Sequence, residues 1–269
     1  MRKKTFWGFS VIIALMVILS GSSHAALINV RPATVPDGGL NALQNVFTGI
    51  GSSINVYDDQ ESAAIFNPSG FGFSTAALIA NVTWGQSAVL GSNLTFGIYS
   101  YTTGEDLIVT TSGSSVGTQA GIMFNFMTGN VIATTGDTQA NFFAPGELPS
   151  FGFFLSHNYP SGSTTVYSED SKNPNGMAQS LIFAGKGDYV DLPYPTPWVN
   201  NIYDGGHYYV AFEGLPITPD SLYSEGAIDF NDLVVQMESV TPVPEPGTMV
   251  LLGTGLIGLA GWGRKKFRK

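Results

Sequence analysis

Eight of the 11 Lys and Arg residues lie at the extreme ends of the chain, as Arg2-Lys3-Lys4 and as five residues between Arg264 and Lys269. Between those ends, Arg31, Lys172 and Lys186 face all 20 Asp and Glu residues, since no acid precedes Asp37 or follows Glu245. Three cations less 20 acids leave the body with a net charge of about −17, histidine being neutral. Such a body cannot be knitted by ion-pair networks, and it repels nucleic acid and anionic lipid while attracting cations. It also has no cysteine. Disulfides, zinc-thiolate sites, iron–sulfur clusters and cysteine nucleophiles are therefore excluded. Stability must come from packing, with divalent ions or wide spacing of the carboxylates limiting the repulsion.

The two basic ends have different designs. Arg2-Lys3-Lys4 precedes an apolar run from Phe6 to Leu19, and Ser23-His24-Ala25 supplies small residues where a signal peptidase reads them, so residues 1–25 are expected to be a signal peptide. At the other end, Pro244, Glu245 and Pro246 form a step that cannot be helical. Gly247–Gly263 is uncharged, and Arg264, Lys265, Lys266, Arg268 and Lys269 close the chain. As a helix the 17-residue run would be about 25 Å long. Flanking Lys and Arg can snorkel to make up the difference from a hydrocarbon core of about 30 Å, and their charge keeps them cytoplasmic.

This order of motif, apolar run and basic terminus resembles the PEP-CTERM sorting signal of Gram-negative bacteria, here over residues 242–269. The resemblance implies a single transmembrane sorting helix, processing by an exosortase near Glu245, and export to the cell envelope, cell surface or extracellular matrix. Expected partners are the exosortase, the membrane before processing, and exopolysaccharide of a biofilm matrix.

The body between the signals is rich in Gly, with aromatic and β-branched residues in short runs. That pattern predicts an all-β fold, a jelly-roll-like β-sandwich. One short helix is expected, because Leu40, Leu43, Phe47 and Ile50 recur at helical spacing before Gly49 and Gly51. Strands are predicted at 54–57, 76–83, 94–101, 107–111, 121–126, 131–134, 151–155, 164–167, 180–183, 208–212 and 233–238. The stretch from Asp188 to Gly206 is too Pro-rich for a central strand and reads as a loop. Pro145-Gly146 suggests a hinge between a β-rich region at 26–145 and a second β domain at 146–241.

The densest chemistry lies in Tyr208–Glu238, where two apolar strands flank an acidic connection. If the strands pair as an antiparallel hairpin, Glu213 falls beside Asn231 and Asp232, with Asp220, Glu225 and Asp229 in the connection. Calcium takes six to eight oxygen ligands, so Glu213, Asp220, Asp229, Asn231 and Asp232 are candidate Ca²⁺ ligands. The same residues also suit a solvated acidic turn capped by Asx side chains. Glu147–Glu238 is similar to the DUF4114 domain of bacterial surface proteins. The likeness rests on Phe151-Gly152-Phe153-Phe154-Leu155, Tyr167-Ser168-Glu169, Asn173-Pro174-Asn175, Val210-Ala211-Phe212-Glu213 and Asp229-Phe230-Asn231-Asp232-Leu233-Val234. Phe96-Gly97-Ile98-Tyr99 also resembles what precedes that domain. Gly214 and Ala227 stand where the family usually has Asp.

No catalytic residue is expected. Gly113-Ser114-Ser115-Val116-Gly117 fits a nucleophile motif, but such an elbow needs a helix after it, and here glycines lead to another strand. A carboxylate-dependent carbohydrate-active hydrolase is the alternative, since 20 acids supply many pairs. His207 offers a metal ligand, although a lone His among tyrosines equally suits packing. Trp198, Tyr194, Tyr203, Tyr208 and Tyr209 gather around the Pro-rich stretch, where they could stack on sugars or cover one end of the core.

Overall fold

In the computed structural model, residues 40–69, 75–85, 94–110, 117–135, 139–159, 162–192, 199–214, 228–243 and 254 are described. Residues 1–25, Ser115, Tyr194, Trp198, Asp220, Glu225, the motif Pro244-Glu245-Pro246 and the basic residues from Arg264 to Lys269 lie outside them. Among the described residues no helix is long and apolar enough to cross a membrane.

The described body is all-β with one short helix, α1 (Leu40–Gly49). Strands β1 (Gln60–Glu61), β2 (Phe66–Pro68), β3 (Thr75–Gly85), β4 (Leu94–Ser100) and β5 (Asp106–Thr110) follow it. Next come β6 (Gln119–Asn125), β7 (Asn130–Ala133), β8 (Gln139–Asn141), β9 (Phe151–Tyr159) and β10 (Gly162–Tyr167). The last are β11 (Ser180–Ala184), β12 (Tyr189–Leu192), β13 (Val199–Tyr203), β14 (Tyr208–Phe212), β15 (Leu233–Glu238) and β16 (Val240–Pro242). One sheet has the order β1-β11-β14-β15-β3-β6-β7-β8. A second runs β16-β2-β9-β4-β5 with β10 also on β9, and β12 pairs with β13. Both large sheets draw strands from either side of Pro145-Gly146, and Ala25–Val243 is one compact unit.

The period of two along the strands decides which layer each side chain enters. Ile122, Phe124, Ile182, Val210, Phe212, Val235 and Met237 of the first sheet meet Phe96, Ile98, Leu107, Val109, Phe151, Phe153 and Leu155 of the second in one core. Residues of opposite phase, Leu181, Phe183, Tyr209, Ala211 and Val234, pack under Leu43, Val46 and Phe47 of α1, under Ile50 just after it, and under Val190 and Leu192 of β12. Phe47 meets Phe183 and Tyr209 edge-on, with ring centroids 5.1 and 5.3 Å away. The helix stops as Ser52 N–H donates back to Phe47 O (2.9 Å) and Gly51 takes φ +83°.

The pairs Phe96-Gly97-Ile98-Tyr99 and Phe151-Gly152-Phe153-Phe154 have a reciprocal packing role. In the β4–β9 ladder Gly97 faces Phe154, and Tyr99 faces Gly152. A Cβ on Gly97 would lie 2.3 Å from the Phe154 ring, and one on Gly152 would lie 2.4 Å from the Tyr99 ring. Each aromatic ring thus lies over the opposing glycine. Alanine at either position would expel a ring.

Two sequence expectations need correction. Ile54–Tyr57 is not a strand, although Ile54 and Val56 are buried. Gln44 of α1 donates to Ile54 O (2.8 Å) and accepts from Val56 N–H (3.0 Å), so a side-chain amide stands where a partner strand would. The Pro-rich stretch 188–206 is more than a loop, because β12 and β13 form an antiparallel ribbon there. This ribbon is a separate two-stranded sheet, so the expectation of no central strand there is not contradicted.

Phe47→Ala should cost about 3–5 kcal/mol in urea denaturation, because it leaves a void between α1 and the sheet. Met127→Ala, at a residue 73% exposed, should change stability by less than about 0.5 kcal/mol.

Candidate functional site

The β14–β15 ladder pairs Phe212 with Leu233, which puts Glu213 and Asp232 opposite each other just beyond the paired strands. The structure therefore brings Glu213, Asp229, Asn231 and Asp232 together. Glu213, Asn231 and Asp232 are 4%, 4% and 7% exposed. Phe230 anchors the turn: its ring is fully buried in the core beneath α1, and its backbone is held at φ +52°, uncommon for a bulky residue. Asn231 N–H then donates to Asp229 Oδ1 (3.2 Å), closing an Asx turn.

Two carboxylates strap the strand ends in opposite senses. Gly214 N–H donates to Asp232 Oδ2 (2.6 Å), and Asp229 N–H donates to Glu213 Oε2 (3.2 Å). A Cβ on Gly214 would stand 3.0 Å from Asp232 Oδ2, so any other residue would crowd this bond. Burial raises the pKa of Glu213 most. The charge of Asp232, its hydrogen bond to Glu213 and the charge of Asp229 push further, against the Asp229 N–H, to about 9. At neutral pH Glu213 therefore keeps its proton. Among the described residues no group of three or more His, Cys, Asp or Glu side chains is arranged to hold a metal ion.

The sequence pattern did not reveal a second buried carboxylate, Asp204. Its Oδ1 accepts from Gly187 and Asp188 N–H (2.8 Å each), and its Oδ2 accepts from the Tyr209 hydroxyl (3.2 Å). Burial first, and the charge of Asp204 next, push the Tyr209 hydroxyl far above its usual range. Gln236 Nε2 donates to the same hydroxyl (3.3 Å) and lies 3.1 Å from His207 Nδ1. His207 thus joins this network. The prolines of the stretch made it read as a loop, and the signal available for a ribbon was the matching Gly187-Asp188-Tyr189 and Tyr203-Asp204-Gly205 at its two ends. Of the clustered aromatics, Tyr209 is buried and Tyr208 packs on Phe66, with centroids 5.2 Å apart. Tyr203 is exposed. At the nucleophile-like motif, β6 begins at Gln119, so a strand follows Gly117.

The proton on Glu213 sets a pH dependence. Folded Glu213 keeps its proton to about pH 9, whereas the unfolded chain releases it near 4.5. The unfolded state binds fewer protons throughout that window, so this group's contribution to stability is complete below about 4.5 and falls as pH rises towards 9. The slope is at most about 1.4 kcal/mol per pH unit for one proton. Glu213→Gln, which mimics the protonated acid, should flatten the decline in urea-denaturation curves taken across this range. An unchanged slope would contradict a protonated Glu213.

The family described as PEP-CTERM protein-sorting motif matches residues 242–265. No curated protein and no solved structure matches the chain. The chain thus carries the sorting signal of an exosortase-processed protein exported to the envelope or surface of Gram-negative bacteria.

Proposed function

We propose that the protein is a structural or adhesive component of the cell surface or biofilm matrix, released from its membrane-spanning tail by an exosortase. The observation that carries this reading is the use of two buried acids as backbone straps, Asp232 taking Gly214 N–H and Glu213 taking Asp229 N–H. They hold the ends of β14 and β15 together. The likeness of 147–238 to DUF4114, a domain of surface proteins, supports the same role.

The hydrolase reading draws on the same pair, since a carboxyl with a raised pKa can serve as a general acid. Retaining glycosidases separate their carboxyls by about 5–5.5 Å and inverting ones by about 6.5–9.5 Å, whereas Glu213 and Asp232 each have an oxygen occupied by a backbone N–H. Loss of a glycan-cleaving activity in Glu213→Gln would restore that reading.

Calcium belongs to the proposal as a stabilising ion at the strand ends. It would have to displace the proton from Glu213, with Asp232, Asp229, Asn231 and Asp220 supplying further oxygens. Extracellular Ca²⁺ modules bind with dissociation constants of about 10⁻⁴–10⁻³ M, so a tenfold excess would add about 1.4 kcal/mol. In a body of this size that is a rise in Tm of about 3–6 °C. Calorimetry at millimolar Ca²⁺ should show this rise, accompanied by proton release, and Asp232→Ala should abolish both. No shift in the wild-type protein would remove calcium from the proposal.

Sorting is tested separately. In a host with an exosortase, mass spectrometry of the exported protein should find a C-terminus near Glu245. An intact Lys269 would contradict processing.

A further inference from the structure

The β12–β13 ribbon presents one buried and one exposed face. Val190 and Leu192 point into the core, and Ile202 packs against it. The alternate residues, Tyr189 and Asp191 on β12 and Asn201 and Tyr203 on β13, are exposed. Tyr189 and Tyr203 are cross-strand partners, with ring centroids 5.6 Å apart and planes inclined at 57°. They are 63% and 55% exposed. We infer that this face binds a neutral polysaccharide, its two tyrosines stacking on successive sugar rings while Asp191 and Asn201 bond the hydroxyls.

The rings are seated. A Cβ on Gly205 would stand 2.5 Å from the Tyr203 ring, and one on Gly187 would stand 3.0 Å from its hydroxyl, so the ring lies against bare backbone. That backbone is fixed from below by the buried Asp204, which takes the N–H groups of Gly187 and Asp188. Asp191 Oδ1 accepts from Asn201 N–H (3.0 Å), orienting the carboxylate along the same face. An aromatic pair held rigid while more than half exposed loses little entropy on binding and gains its stacking contacts at low cost.

The size and charge of the patch select the ligand. Two half-exposed tyrosines offer on the order of 200 Å², far below the roughly 800 Å² per partner of a stable protein interface. A repeating chain can compensate for a small contact by presenting it many times. Asp188 and Asp191 flank the rings, and Lys186 is engaged 2.7 Å from Asp59, so the face repels polyuronates and nucleic acid. Uncharged hydroxylated rings remain. The inference draws on the proposed surface location only for the availability of such a glycan.

The test uses the purified exported protein on insoluble cellulose, curdlan and amylose resin, with a polygalacturonate gel beside them. Retention is expected on at least one neutral glucan, and not on polygalacturonate. Tyr189→Ala and Tyr203→Ala should each weaken it about tenfold or more. Tyr189→Phe should bind as wild type, as should Tyr101→Ala at another exposed tyrosine. Melting curves identify any variant that has lost its fold, and Tyr189→Ala, truncating the more exposed ring, serves if Tyr203→Ala unfolds. Failure to bind every neutral glucan, preference for polygalacturonate, or unchanged binding in a folded Tyr189→Ala would overturn the inference. Because the assay uses purified protein, such a failure leaves the surface reading to stand or fall on the mass spectrometry.

Discussion

The bond on which the body depends is the one between a carboxylate and a backbone N–H. With three cations for 20 acids, few carboxylates can find a Lys or Arg, and the turns use them to satisfy main-chain donors instead. Asp232 takes Gly214, Glu213 takes Asp229, Asp204 takes Gly187 and Asp188, Asp191 takes Asn201, and Asp188 takes Ser53. Asp59 does both, accepting from Asn55 N–H and pairing with Lys186. Each bond neutralises a donor that would otherwise be left unmade at a chain reversal, and charge makes it stronger than a neutral equivalent. The acidity that forbids ion-pair networks thus becomes the means of fixing the loops.

The same economy separates two kinds of buried acid. Asp204 has three donors converging on it. Glu213 accepts one backbone N–H, and burial together with the charges of Asp232 and Asp229 makes it keep its proton at neutral pH.

Much of this was legible in the sequence. Short, dense apolar runs in Leu94–Tyr101, Phe151–Leu155 and Tyr208–Phe212 marked strands because both faces of these strands are covered. The pairing of Glu213 with Asp232 also followed from the pattern, since a hairpin fixes which residues meet beyond its ends. Strands such as β1, β8 and β16 were not legible, being two or three residues long. Ile54–Val56 misled because burial against a helix gives the same alternation as burial in a sheet. The ribbon of Tyr189 and Tyr203 was hidden by prolines, which forbid a central strand yet permit an isolated pair. The exposure of its tyrosines is a tertiary fact, set by Asp204 and two glycines.

The place of β15 has a consequence for folding. This strand lies between β14 and β3 in the middle of the larger sheet, yet it is almost the last part of the body before the sorting motif. A chain synthesised from its N-terminus delivers β3 early and β15 late. Until then β3 has one edge unpaired, the kind of edge that invites aggregation. The larger sheet therefore closes only when the residues just before the sorting motif have been made, and an open sheet must be kept soluble until they arrive.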